Sequence, residues 1–186
     1  SGLLRWIEGD CQAAVLGELL LEGLVKLGEE TPGPVQCAEI LRRSGVCWGR
    51  SRYRPCLEQL ALSYEERSAG PRADDAGSQD CRPDADLCRN LTKRLLRLLE
   101  IIPEPDENGL VSLGAMARGL ARFLDEFTAT ADERDEEARR EAREHFVLIA
   151  EVAHSHLPLA EALERLKRET GLLFVGPQTP RPGHIH

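Results

Sequence analysis

Residues 87–127 read LCRNLTKRLLRLLEIIPEPDENGLVSLGAMARGLARFLDEF, and their pattern decides the fold. Apolar side chains fall at Leu87, Leu91, Leu95, Leu98, Leu99 and Ile102, then at Leu113, Met116, Ala117, Leu120, Leu124 and Phe127. Both sets keep the i, i+3, i+4, i+7 spacing that lines one helical face. Pro103 to Gly109 lies between them and cannot continue a helix. The stretch predicts a helical hairpin with two faces to bury. It shows no chemistry.

Composition agrees with helices. Of the 186 residues, 30% are charged and only 4% aromatic, so the core is left to Leu, Ala, Val and Ile. Few β-branched residues means little sheet. The net charge of -8 argues against nucleic-acid binding, which needs a basic face to displace counterions. The apolar runs fall well short of the roughly 20 residues that span a bilayer, so no membrane insertion is expected. Of six cysteines, Cys11, Cys37 and Cys88 sit in expected helices beside apolar residues, where a free thiol behaves as a small hydrophobe. That placement reads as a reduced, intracellular chain, cytoplasmic or nuclear. A secreted helical ligand held by disulfides is the competing reading of the even cysteine count.

Outward from the central stretch, the chain breaks into further helices. Asp10 suits the cap of a helix over 11–27 with Gly28 as its stop, and a helix follows at 35–43. Pro55 suits the first turn of a helix over 55–67. Thr130 and Glu133 form a capping box for a charged helix that turns apolar at Phe146, with His154 and His156 near its end. Pro158 breaks that helix, and a last one runs to Glu169. Residues 68–84 hold no large apolar side chain and read as a flexible internal loop. One all-α domain is expected over 1–176, with 177–186 as a disordered tail. Seven or eight helices would form antiparallel hairpins. Residues 11–44 and 87–127 share a plan, which leaves two packings open: a solenoid-like stack of armadillo or HEAT type, or an irregular bundle.

Two places carry candidate functional residues. The turn after Ile102 resembles a calcium-binding EF-hand loop, with Glu104, Asp106, Asn108, the Leu110 carbonyl and Ser112 at ligand positions and Gly109 sixth. The twelfth position is Ala115 where a bidentate glutamate belongs, and Pro103 and Pro105 intrude. A structural turn is the expected reading, with a degenerate calcium-responsive module as the alternative. No cysteine pair has zinc-knuckle spacing, and no nucleophile elbow or phosphate loop is present. The sequence argues against an enzyme and implies no cofactor. The second place is Trp48, Arg50, Arg52, Tyr53 and Arg54, residue types enriched at interface hot spots. The expected function is protein–protein interaction: a scaffold or adaptor domain, part of a larger protein, that takes a partner helix or peptide on this loop.

Overall fold

Helices carry the chain, as the leucine spacing requires. The computed structural model describes residues 2–69 and 82–171. In order they form α1 (Gly2–Glu8), α2 (Ala13–Leu21), α3 (Pro34–Arg43), a 3-10 turn at Arg50–Arg52, and α4 (Tyr53–Ala69). After the undescribed residues come α5 (Arg82–Glu100), β1 (Leu110–Ser112), α6 (Leu113–Phe127), α7 (Glu133–Val152), β2 (His156–Pro158) and α8 (Leu159–Gly171). The all-α expectation holds, with one addition. The two short strands pair antiparallel, Val111 opposite Leu157.

The apolar faces of the central stretch are buried as their spacing requires. Leu91, Leu95, Leu98, Leu99 and Ile102 join Leu113, Met116, Ala117, Leu120 and Phe127 in one continuous hydrophobic cluster. That cluster draws on every helix, from Leu3 and Trp6 in α1 to Leu163 and Leu166 in α8. The closely packed helix pairs are α2 with α3, α4 with α5, and α6 with α7. The two helices of the central stretch thus belong to different pairs.

The expected closed hairpin of 87–127 is therefore not formed, and α6 meets its surroundings most closely at two glycines. On α6, Gly114 lies so near the end of α7 that an added methyl would stand 2.5 Å from the Ala153 carbonyl oxygen. A methyl on Gly119 would overlap the Ile101 carbonyl, just past α5. In both cases the obstacle is backbone, which cannot swing aside. Further along α6, Glu126 takes a forked pair of hydrogen bonds from Arg97 of α5, both 3.1 Å. Burial opposes ionisation of Glu126, but the Arg97 fork, with Arg122 behind it, prevails and holds the carboxyl below its ordinary value.

A second correspondence emerges that helical periodicity does not show. Residues 82–127 run helix, strand, helix (α5–β1–α6), and 133–171 repeat that order (α7–β2–α8), the two units joined by the β1–β2 ladder. The pairing expected from sequence matched 11–44 with 87–127 instead. Strands of three residues carry too little alternation to be read as strands.

Several boundaries also move. The α2 helix starts after Asp10 and Cys11, which take left-handed φ of 52° and 55°, so Asp10 is no helix cap. It ends at Leu21, because Gly23 (φ 72°) turns the chain and its amide bonds back to the Leu20 carbonyl. Gly28 was the wrong glycine. For α7 the cap is Asp132, accepting from the Asp135 amide at 2.9 Å, while the Asp135 carboxylate reaches back to the Ala131 amide. The reciprocal bonds are present but start two residues on from Thr130. His154 and His156 lie off the helix, His156 in β2. Helices α4 and α5 enter both ends of the expected 68–84 loop; residues 70–81 lie outside the described residues, as do Cys81 and the tail beyond 171.

Two outcomes follow. Gly119→Ala should lower the unfolding free energy by about 1–3 kcal/mol through overpacking, read by urea denaturation with circular dichroism, whereas Gly171→Ala, with open space around it, should leave the midpoint unmoved. Glu126 has a lowered folded pKa, so its stabilisation is present at neutral pH and is lost as pH falls below its unfolded value near 4.5. Glu126→Gln should therefore flatten the acid limb of a stability–pH curve; an unchanged limb would contradict the role given to the Arg97 fork.

Candidate functional site

The loop that carries Trp48 and the arginines is tied down at its base. Its Cys47 carbonyl accepts from the Ala13 amide (3.1 Å), and the Gly49 amide donates to the Asp10 carbonyl (2.8 Å). Gly49 has a φ of 91°, which only glycine adopts at low cost, and its turn starts the 3-10 segment at Arg50. The loop therefore grips the two left-handed residues ahead of α2. Non-glycine residues in that region persist when surrounding bonds hold them there.

Tyr53 completes the grip. It is wholly buried, its hydroxyl donates to the Cys11 carbonyl at 2.7 Å, and its ring meets the edge of Trp6 at 6.4 Å between centroids. Burial pushes the phenol pKa up, so it is a neutral donor under all ordinary conditions. Arg50 is mostly buried too. Its guanidinium donates to the Leu99 carbonyl at the end of α5 and stands 2.8 Å from the Glu104 carboxylate. Of the five residues singled out in the loop, Tyr53 and Arg50 thus face inward. Trp48, Arg52 and Arg54 face solvent. The Trp48 side chain is 55% exposed, with the Arg52 guanidinium 5.9 Å from the ring centroid, and Arg54 lies 3.6 Å from Glu58. Sequence composition marked the cluster but gave no sign of which side chains turn in.

The turn after α5 has the backbone of a metal loop and other uses for its side chains. Gly109, sixth from Glu104, takes a φ of 75°, and Ser112 caps α6 by accepting from the Ala115 amide at 3.2 Å. Asp106 accepts from the Asn108 and Leu110 amides, both 2.9 Å, closing the turn on itself. Glu104 is engaged by Arg50, and Asn108 is exposed. Among the described residues no group of three or more His, Cys, Asp or Glu is placed to hold a metal ion.

The described cysteines are all unpaired. Burial raises the thiols of Cys11, Cys37 and Cys88 to about 11, which leaves almost no thiolate at neutral pH. One feature went unseen in the sequence: Leu21, Leu24 and Val35 stand in solvent at the α2–α3 turn, where a helix running on to Leu27 would have covered Leu24. No helix among the described residues is long and apolar enough to cross a membrane. No family model matches the chain, and neither a curated protein nor a solved structure matches it significantly.

The arrangement predicts separable effects. Arg50→Ala should destabilise the domain by about 1.5–3 kcal/mol, the range for hydrogen bonds to charged groups, with thermal unfolding as the measurement. Iodoacetamide should modify exposed Cys47 in the native protein, while Cys11, Cys37 and Cys88 react only on unfolding; rapid native labelling of those three would contradict their burial.

Proposed function

We propose that the chain is a protein-interaction domain that presents Trp48, Arg52 and Arg54 to an acidic peptide or helix of a partner. The observation that carries this reading is the combination of a half-exposed tryptophan under an arginine with a loop fastened through Tyr53, Gly49 and Arg50. A fixed loop loses little conformational entropy on binding, so an exposed aromatic on it contributes more affinity than the same side chain on a mobile one. Tryptophan and arginine are also the residues most often found at the energetic centre of interfaces. The two guanidiniums set the preference for an acidic segment. In this reading the domain is a scaffold or adaptor part of a larger, intracellular protein, and its helices form an irregular bundle rather than a solenoid: the helix–strand–helix pair has no stacked counterpart in α1–α4 among the described residues.

A calcium-responsive module is the second reading, favoured by the left-handed Gly109 and by the paired helix–strand–helix units. It has less support, because Glu104 and Asp106 already have partners and the twelfth position is Ala115. Calorimetric titration separates the two, since heat at micromolar to millimolar calcium is expected only for the second.

The interaction reading is checked by affinity capture with the intact protein. Trp48→Ala with Arg52→Ala and Arg54→Ala should lose partners that the parent retains, at an unchanged circular dichroism spectrum. Retention of every partner by that variant would remove the corner from consideration. Arg50 and Tyr53 are left intact, because their loss would disturb the fold.

A further inference from the structure

A second surface lies at the opposite end of α2 from the arginine corner. Gly17 of α2 faces Ala38 of α3, with 3.8 Å from an ideal methyl to the alanine Cβ. In an antiparallel pair that register sets residues 20 and 21 across from 34 and 35. A cleft of about 340 Å³ opens there, lined among others by Leu20, Leu27, Pro34 and Cys37. On the same stretch of chain, interleaved in sequence with the residues that line it, stand Leu21, Leu24 and Val35, at 56%, 53% and 70% exposure. These are three of the seven large apolar side chains left exposed among the described residues, and they fall within one turn of the chain. Scattered single exposures need no explanation, but a group beside a cleft marks a binding surface.

The cleft wall is fastened to the rest of the domain. The Lys26 amide donates to the Phe127 carbonyl at the end of α6 (2.8 Å), and Arg94 of α5 donates to the Leu27 carbonyl (2.5 Å). The Cys37 thiol donates to the Pro32 carbonyl at 3.1 Å, and Asn90 donates to the Glu30 carbonyl at 3.2 Å. The turn is therefore preformed. Around it Glu22, Glu29 and Glu30 are exposed, with no basic side chain of the described residues within ion-pair distance; the cations at the turn are Lys26 and the half-buried Arg94, whose guanidinium is engaged by the Leu27 carbonyl.

We infer that the α2–α3 turn is a docking site for a basic amphipathic helix, its leucine-like face on Leu21, Leu24, Val35 and the cleft, and its lysines or arginines against Glu22, Glu29 and Glu30. The acidic rim selects the sign of the partner's charge. The apolar knobs supply the contact area, as in helix-in-groove recognition. This surface and the arginine corner take ligands of opposite charge, so the domain bridges a basic segment at one end and an acidic one at the other.

The test uses the intact protein and two labelled peptides of about 18 residues with leucines at i, i+3, i+4 and i+7, one carrying lysine and one glutamate at the remaining positions. Fluorescence anisotropy should show the lysine peptide binding at least about tenfold more tightly than the glutamate peptide. Leu24→Ser with Val35→Ser, which keeps the charge, should weaken that binding about tenfold or more, and Glu22→Gln, Glu29→Gln and Glu30→Gln together should weaken it and abolish its salt dependence. Trp48→Ala should leave it unchanged, so failure here is distinct from failure at the arginine corner. Equal binding of both peptides, no binding of either, or indifference to the serine pair would overturn the inference. So would sedimentation showing self-association that the serine pair abolishes, because the face would then be covered by a second copy.

Discussion

Backbone-to-backbone approach around α6 is the constraint on which the other packing depends. Helices with ordinary side chains at the crossing sit 8–10 Å apart. Gly114 and Gly119 let α6 come against carbonyl groups at the ends of its two neighbours, Ala153 beyond α7 and Ile101 beyond α5. Those carbonyls lie one residue past the ends of α5 and α7, so α6 sits against the exits of both helices. The chain leaving α5 then enters the Asp106 turn, and the chain leaving α7 enters β2. Their meeting as a ladder at Val111 and Leu157 is a consequence of that placement.

The same region reaches back into the first half of the chain. Phe127 offers its carbonyl to Lys26 and its ring to Arg94, 5.1 Å from guanidinium to centroid, while Leu99 and Glu104 hold Arg50. Both solvent-facing surfaces are thus anchored on the α5–α6 corner, one through Arg50 and one through Arg94. Each arginine spans from α5 or its exit to a loop outside the α-helices. Charge-assisted bonds to backbone carbonyls do here what side-chain packing does within helices.

Helical faces were legible because period 3.6 repeats often enough in 87–127 to exclude the alternatives. What escaped was whatever depends on a single side chain or a few residues. Gly23 and Gly28 are equal as stop signals in sequence; beyond the first, tertiary bonds to the Lys26 amide and the Leu27 carbonyl hold the chain out of the helix. Strands of three residues have no period to read. Arg50, Arg52 and Arg54 are alike in composition, and only the position of the α5 terminus sends the first inward. Leu24 fits a helical stripe that the chain abandons three residues earlier.

The turn after α5 has the backbone of a metal loop but spends its side chains on other bonds. A calcium loop converges several carboxylates on one point, and their mutual repulsion requires a cation. In this turn the Asp106 carboxylate accepts from two backbone amides, the Ser112 hydroxyl accepts from the Ala115 amide of α6, and Glu104 pairs with a guanidinium. The guanidinium on Glu104 is that of Arg50, brought from the other half of the chain. Arg50 thereby ties the loop's shape to the base of the Trp48 corner. A residue that closes one turn while fastening another cannot also be a free contact for a partner, which is why the binding assignment rests on Trp48, Arg52 and Arg54.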